Sequence, residues 1–494
     1  MEKGRESPKH ESKGRRLVLF PIPLQGHMNP MLQLANILHA TGFFSITIIH
    51  THFNSPTISN YPHFTFCPIP DGLSETESEA STSDSVALLS LLNTNCVAAF
   101  RDCLAGLVLS GVEDEAKEPT ACLITDAIWH FSQSVADSLE IPRIVLRTSS
   151  LSSFLAFAAL PLLLEKGYLP KQGESSSTLA CEEANKDCSN QDTKCQHKLL
   201  FSDSQLESPV LELPPLKVKD LPTISTRNHE VFYKLIGSMV KETKASSGII
   251  WNSMEDLEQS TLATVRQVFP VPSFPIGPFH NYFPASSSSL LAQDKSSISW
   301  LDTRPPKSVL YVSFGSIASM DEAEFLEMAW GLANSGQPFL WVVRPGLVRG
   351  SKWLEPLPSG FMETNGGRGY IVKWAPQQEV LAHPATGGFW THNGWNSTLE
   401  SICEGVPMIC SPCFGDQMVN ARYVSHVWRI GLQFESGMES GVVEKAIRRL
   451  MVEKEGEEER ERILCLKEKV GFCLKQGGSS HHYLESLISY ILSF

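Results

Sequence analysis

The sequence is short of positive charge, of long apolar runs and of paired cysteines, and each shortage closes off a class of function. Its 41 lysines and arginines are outnumbered by 54 aspartates and glutamates, for a net charge of −13 at pH 7. A nucleic-acid partner needs a basic face, so none is expected. The longest greasy segment, Phe154 to Leu164, is broken by Pro161 and falls well short of the ~20 residues that cross a bilayer. The opening MEKGRESPKHESKGRR has no apolar stretch and does not read as a secretory signal. Twelve cysteines in 494 residues are too sparse for a disulfide scaffold. Cys67, Cys122 and Cys465 stand in apolar contexts that read as buried reduced thiols. A cytoplasmic protein is expected, with the 42% hydrophobic and 19% charged composition of ordinary globular chains.

A chain of this length holds two domains, because single cores stop growing at about 250–300 residues. The run Arg16-LVLFPIP reads as a buried strand. In the helix that follows, Met31, Leu34, Ala35 and Leu38 fall at i, i+3, i+4 and i+7, with Pro30 in the first turn and Gly42 as the stop. Strands follow at Ser45–His50, at Ala121-CLIT and at Arg143-IVL. A second series opens at Ser308-VLYVSF, with a helix carrying Phe325, Met328, Ala329 and Leu332, a stop at Gly336 and Pro338, and the strand Phe339-LWVV. Alternating strands and helices imply α/β architecture with parallel, doubly wound sheets.

The expected layout is a disordered leader over 1–15, a first domain over 16–270, a flexible linker over 281–298, a second domain over 299–475 and a carboxyl-terminal helix over 476–494. The Ser-, Cys- and acid-rich stretch 172–204 reads as a disordered insertion. Cys181, Cys188 and Cys195 within it, with His197, fit no zinc spacing. The charged run Glu453 to Arg462 reads as a solvated helix face.

The chemistry concentrates between Trp374 and Gln417, in WAPQQEVLAHPATGGFWTHNGWNSTLESICEGVPMICSPCFGDQ. Ser397 and Glu400 stand at capping-box spacing, and Gly405 with Pro407 stops a short helix. A helix start at the carboxyl end of a parallel strand offers free N–H groups and a positive dipole end, which suit a pyrophosphate. Trp374, after a strand and before Pro376, offers an indole face for a base. Glu400 can accept from ribose hydroxyls, and Asp416 with Gln417 from sugar hydroxyls. The Asn396-Ser-Thr sequon and the Cys410-x-x-Cys413 pair read as accidental. In the amino-terminal half, His27 follows the first strand and Asp126 closes the strand that begins at Ala121. A histidine with a reference pKa near 6.5 can serve as a general base, and a carboxylate on its far nitrogen fixes the tautomer.

The block resembles, nearly residue for residue, the signature box of the plant secondary-product UDP-glycosyltransferases. The likeness runs along the whole chain apart from the leader and the Cys-containing stretch. It implies the GT-B fold, two facing Rossmann-like domains, with UDP-glucose held mainly by the second and the acceptor mainly by the first. In that family the uracil is stacked by the residue matching Trp374 and touched by the one matching Ala375, and the ribose is held by those matching Gln377 and Glu400. The phosphates are held by the positions of Ser316, His392, Gly394, Asn396 and Ser397, and the hexose by those of Thr148, Trp395, Asp416 and Gln417. A glutamine at the place of Gln417 goes with glucose. The family's base and its aspartate match His27 and Asp126. No Asp-x-Asp occurs in the chain, so the resemblance implies no metal and no cofactor.

The expected enzyme is an inverting glucosyltransferase, acting as a monomer on a hydroxyl or carboxyl of a small lipophilic plant metabolite such as a flavonoid, terpenoid or hormone. The acceptor pocket is expected to draw on Trp129, Phe154 and Leu88 to Leu92. A nicotinamide-dependent dehydrogenase is disfavoured, since no Gly-x-Gly-x-x-Gly follows the first strand. A catalytically silent UDP-sugar binder is the rival from another class, and the same enzyme using another UDP-sugar is the alternative within this one.

Overall fold

A computed structural model of the protein describes residues 15–74, 84–113, 118–169, 201–224, 226, 228–283, 289–434 and 437–494. Residues 1–14 of the expected leader and most of the 172–204 stretch, with its three cysteines, lie outside the described residues, while Arg15, the last of the expected leader, already belongs to the first strand.

Two parallel sheets carry the fold. The first contains β1 (Arg15–Phe20), β2 (Phe44–Thr51), β3 (Thr65–Ile69), β4 (Thr120–Asp126), β5 (Arg143–Arg147), β6 (Gly248–Trp251) and β7 (Ser273–Pro275), in the spatial order β3-β2-β1-β4-β5-β6-β7. The second contains β8 (Val309–Ser313), β9 (Phe339–Val342), β10 (Gly369–Val372), β11 (Thr386–Thr391), β12 (Met408–Cys410) and β13 (Gly431–Gln433), ordered β10-β9-β8-β11-β12-β13. Every paired strand runs parallel. β5, β8 and β11 are buried along their whole length. Helices cover both faces of such sheets, so their strands read as continuous apolar runs without alternation. Two facing Rossmann-like domains result, the GT-B arrangement.

In each sheet the strand order reverses beside the first strand, between β1 and β4 and between β8 and β11. At such a reversal the connecting helices leave to opposite faces and open a crevice at the strands' carboxyl ends. The two crevices face each other.

Several local expectations change. The first helix spans Gln25–Ala40, so Pro30 sits inside it and not in its first turn. The first sheet extends past 270, because β7 pairs with β6. The segment 289–298 is not a loose tether: the Leu290 amide donates to Gln25 Oε1 at 2.6 Å, the Asp294 amide to the Trp374 carbonyl at 2.8 Å, and a helix begins at Ser296. In the charged run, Glu459 is only 4% exposed, and burial raises its pKa to about 8. Cys465 is exposed and Cys67 half-buried, while Cys122 is buried. Among the described residues no helix is long and apolar enough to cross a membrane.

The last helix, Ser479–Leu492, leaves the second domain and docks on the first. Leu487 and Ile491 are fully buried with the core around β1 and β2. Ser480 Oγ donates to the Gly277 carbonyl at 2.7 Å and Tyr490 to that of Ser247 at 2.7 Å. Leu487→Ala should therefore cost about 2–5 kcal/mol, as buried leucine truncations do, read as a fall in the urea midpoint. Glu485→Ala on the exposed face of the same helix should stay within about 0.5 kcal/mol. Equal effects would mean that the helix does not clamp the first domain.

Candidate active site

The two crevices merge into one cleft of about 590 Å³. Its first-domain wall begins at the carboxyl end of β1, where the chain turns into the Gln25–Ala40 helix and His27 falls in the first turn. Asp126 ends β4, beside β1 in the sheet. His27 Nδ1 donates to Asp126 Oδ2 at 2.7 Å, and Thr148 Oγ1, one residue past β5, lies 3.1 Å from the same nitrogen. With Nδ1 so engaged, Nε2 is the nitrogen left for the cleft that His27 lines. Asp126 is completely buried, with Oδ1 accepting from the Ile128 amide at 3.0 Å. Burial pushes its pKa up, but the charge and hydrogen bond of His27, with Arg147 and the Ile128 amide, outweigh it and hold the carboxyl below the ordinary range. An ionised Asp126 keeps the proton of His27 on Nδ1 and leaves Nε2 basic.

The second-domain wall is the start of the helix Trp395–Glu404 beyond β11. This helix begins two residues before Ser397, with Gly394 as its cap and no side-chain capping bond, so Ser397 and Glu400 do not form a capping box. They instead share a partner. Gln377 Nε2 donates to Ser397 Oγ at 2.9 Å and to Glu400 Oε2 at 2.7 Å, and Gln378 Nε2 to Glu400 Oε1 at 3.0 Å. Burial raises the Glu400 pKa and these amides partly offset it. Gly405 ends the helix in the left-handed conformation, φ +72°.

His392 lies between the starts of two loops. A Cβ on Gly394 would stand 2.6 Å from its Nε2, and one on Gly315, after β8, would stand 2.7 Å away. Only glycine lets both backbones approach the ring. Burial, partly relieved by the backbone of Ser313, lowers the His392 pKa to about 4. The ring is therefore a neutral donor at ordinary pH, and an anion here would be held by N–H dipoles and not by an imidazolium. Ser316, after β8, lines the same end of the cleft, and Arg344 holds its loop by donating to the Gly315 carbonyl at 3.1 Å.

Elsewhere along the second-domain wall, Ala375 is buried and Trp374 half-buried, its indole N–H donating to Ser289 Oγ at 2.9 Å. Asp416 accepts from Asn420 Nδ2 at 3.0 Å, and burial raises its pKa against the pull of Asn420, Arg147 and His27. Gln417 Oε1 accepts from the amides of Cys413 and Phe414, which leaves its amide nitrogen for the cleft. Trp395 and Asn396 also serve the seam between domains: the Trp395 indole donates to the Asn252 carbonyl at 2.7 Å, and Asn396 Nδ2 to that of Gly26 at 2.8 Å. All fifteen sequence-identified residues but Asp126 line the cleft, and Asp126 stands behind His27.

Three expectations for the acceptor pocket are corrected. Trp129 is fully buried, stacked on Phe20 at 4.5 Å. Phe154 is fully buried against Trp251 and Phe269. Of Leu88 to Leu92 only Leu89 reaches the cleft, joined by Val86, Ile128, Phe157, Phe232 and Met239. Sequence reading also passed over Arg147, Asn252 and Asn420. Arg147 ends a buried strand, where a long polar residue in an apolar run was the available signal; Asn252 and Asn420 carry no local signature.

The family model of UDP-glucoronosyl and UDP-glucosyl transferases matches residues 230–467. The chain is 55% identical over 479 residues to UDP-glycosyltransferase 76B1 of Arabidopsis thaliana, covering 97% of this chain and 98% of the relative. It is 50% identical over 483 residues to UDP-glycosyltransferase 76G1 of Stevia rebaudiana, covering 97% of each. Among solved structures, UGT2 of Phytolacca americana, complexed with UDP-2fluoro-glucose and pterostilbene, superposes with a TM-score of 0.76 at 27% identity, over 97% of this chain and 100% of that one. Os79 from O. sativa in complex with UDP gives 0.76 at 26% identity, over 96% and 100%.

His392 and His280 are both pressed by burial to about 4, from 6.5. The unfolded chain then binds more protons than the native one between those values, so stability should fall as pH drops from 6.5 towards 4 and be untouched by these groups above 6.5. Urea unfolding at stepped pH should show that slope, and His392→Gln should flatten it. A slope unaltered by the substitution would place the His392 pKa near its ordinary value.

Proposed function

The chain belongs to the UDP-glycosyltransferase family, and from that premise we propose that it transfers glucose from UDP-glucose to a hydroxyl of a small lipophilic acceptor, with inversion at the anomeric carbon. The observation that carries the reading is the His27–Asp126 pair at the crevice of the first sheet, set in one cleft with the helix start at Gly394–Ser397 from the second.

In this reading the uracil stacks on Trp374 against the backbone of Ala375, and the ribose hydroxyls donate to Glu400, which Gln377 helps to aim. The diphosphate lies at the helix start by Gly394, Asn396 and Ser397, with Ser316 and the neutral His392 as further donors. Asp416 and Gln417 receive the hexose, with Thr148 and the backbone of Trp395 beside it. Asn396 and Trp395 keep their seam contacts in this arrangement, so what they offer a ligand is chiefly backbone N–H. Nε2 of His27 takes the proton of the acceptor hydroxyl as its oxygen bonds to the anomeric carbon and the bond to UDP breaks on the opposite face. Asp126 balances the imidazolium formed, and the helix start and His392 receive the charge that develops on the departing phosphate oxygen. No metal is assigned to the step. The absence of Asp-x-Asp from the chain supports this.

His27→Ala should lower kcat by about 10²–10⁴-fold, the usual worth of a general base, while UDP affinity measured by calorimetry stays within a few fold. Turnover of the unaltered enzyme with UDP-glucose should survive EDTA. Full activity in the variant would remove His27 from the chemistry, and loss with EDTA would demand a metal.

A further inference from the structure

Two glutamines hold Glu400, and glucosyl transfer as proposed draws on only one of them, Gln377. The other, Gln378, is its neighbour at the start of the short helix Gln377–Ala382, which packs against the helix that carries Glu400. Consecutive side chains leave a helix about 100° apart, so the two amides reach the carboxylate from different directions, one on each oxygen. The Gln377 amide is divided. Its Nε2 donates to Ser397 Oγ at 2.9 Å as well as to Glu400 Oε2 at 2.7 Å, and its Oε1 accepts from the Tyr311 hydroxyl at 3.3 Å. Gln378 Nε2 donates at 3.0 Å to Glu400 Oε1, which among the described residues accepts from no other group.

An ionised carboxylate offers about four lone-pair sites on its two oxygens. With one amide on each oxygen, each keeps a site open, and Glu400 and Gln378 both line the cleft. Open acceptor sites on neighbouring oxygens fit the two adjacent hydroxyls of a cis diol. Burial pushes the Glu400 pKa up, while Gln377 and Gln378 pull the other way and favour the ionised form, which only accepts. Without Gln378 the carboxylate would be held at one oxygen, free to turn about its last bond, and the second open site would lose its aim.

We propose that Gln378 is a specificity-determining residue: by holding Oε1 it presents Glu400 as a two-point acceptor, so that the site takes ribonucleoside diphosphate sugars and discriminates against their 2′-deoxy and 3′-deoxy counterparts. This rests on the reading that places the donor's ribose at Glu400. A ligand lacking one hydroxyl fills one site and leaves the other oxygen underpaired in a closed pocket, which is how a site built for a hydroxyl rejects the analogue without it. Gln378 touches no reacting atom. It is a positioning residue that acts through Glu400.

The test follows binding of UDP, 2′-deoxy-UDP and 3′-deoxy-UDP by calorimetry, which needs no acceptor and no turnover. The unaltered enzyme should bind UDP about 10–100-fold more tightly than either deoxy ligand, the scale of one hydrogen bond to a charged group. Gln378→Met keeps the side-chain length without a donor and should cut that preference by about 3–10-fold. Gln378→Asn, which withdraws the same amide by one methylene, should act in the same direction and serves in place of a methionine variant that fails to fold. Gln378→Lys keeps an N–H at about the same reach and should restore most of the preference. A merely structural glutamine would weaken all three ligands alike when replaced, and that result overturns the proposal. A preference that survives methionine and asparagine unchanged, or that lysine restores no better than methionine, overturns it too, and each of these results leaves the ribose at Glu400. Equal binding of the three ligands by the unaltered enzyme would remove the ribose from Glu400 and overturn the donor reading together with the proposal.

Discussion

The hydrogen bonds that close the seam between the two sheets govern the rest of the site. Each domain contributes half of a cleft from its own strand-order reversal, and the halves work together only if their separation is fixed. Asn396 Nδ2 on the Gly26 carbonyl ties the second domain's helix start to the turn that holds His27. Asn420 Oδ1 accepts from Ser150 and Ser153 of the first domain at 2.9 and 3.0 Å, while its amide nitrogen donates to Asp416 and to the Asn393 carbonyl. The Arg422–Asp220 pair, at 3.4 Å and largely buried, closes the edge. His27, Asp416 and the helix start at Trp395 are thus set by one network, and positioning of this kind is what lets reacting groups meet without a search.

Electrostatically the cleft separates its charges. An ionised Asp126 stands behind His27 on one wall. On the other stand a neutral imidazole and a helix start, where the proposed leaving group would lie, with no lysine or arginine among the residues matched to the diphosphate. Preorganised dipoles in a water-poor cleft stabilise developing charge without having to reorient. Glu400, held by two glutamine amides, is fixed in the same way. Arg147 is the exception, a cation with too few partners.

Much of this could be read from sequence because parallel strands buried on both faces leave unbroken apolar runs, as in β1 and β8, and because a ligand crevice must follow such strands. The order strand, His27, helix and the order strand, His392, helix therefore placed both walls. The missed parts depend on contacts between residues far apart in the chain. Spacing alone made a capping box of Ser397 and Glu400, although their partner is Gln377, some twenty residues earlier. Trp129 and Phe154 look like pocket aromatics in sequence, but stacking on Phe20 and on Phe269 draws them into cores. Asn252 and Asn420 gain their meaning only from groups 144 and 270 positions away.

The most direct test of the central claim is the configuration of the new glycosidic bond. A single in-line displacement with His27 as base requires the acceptor to attack opposite UDP, so UDP-α-glucose should yield only the β-glucoside, seen as a large anomeric proton coupling in the NMR spectrum of the product. An α-glucoside would contradict the account, because retention would require either two displacements or attack from the face that UDP leaves.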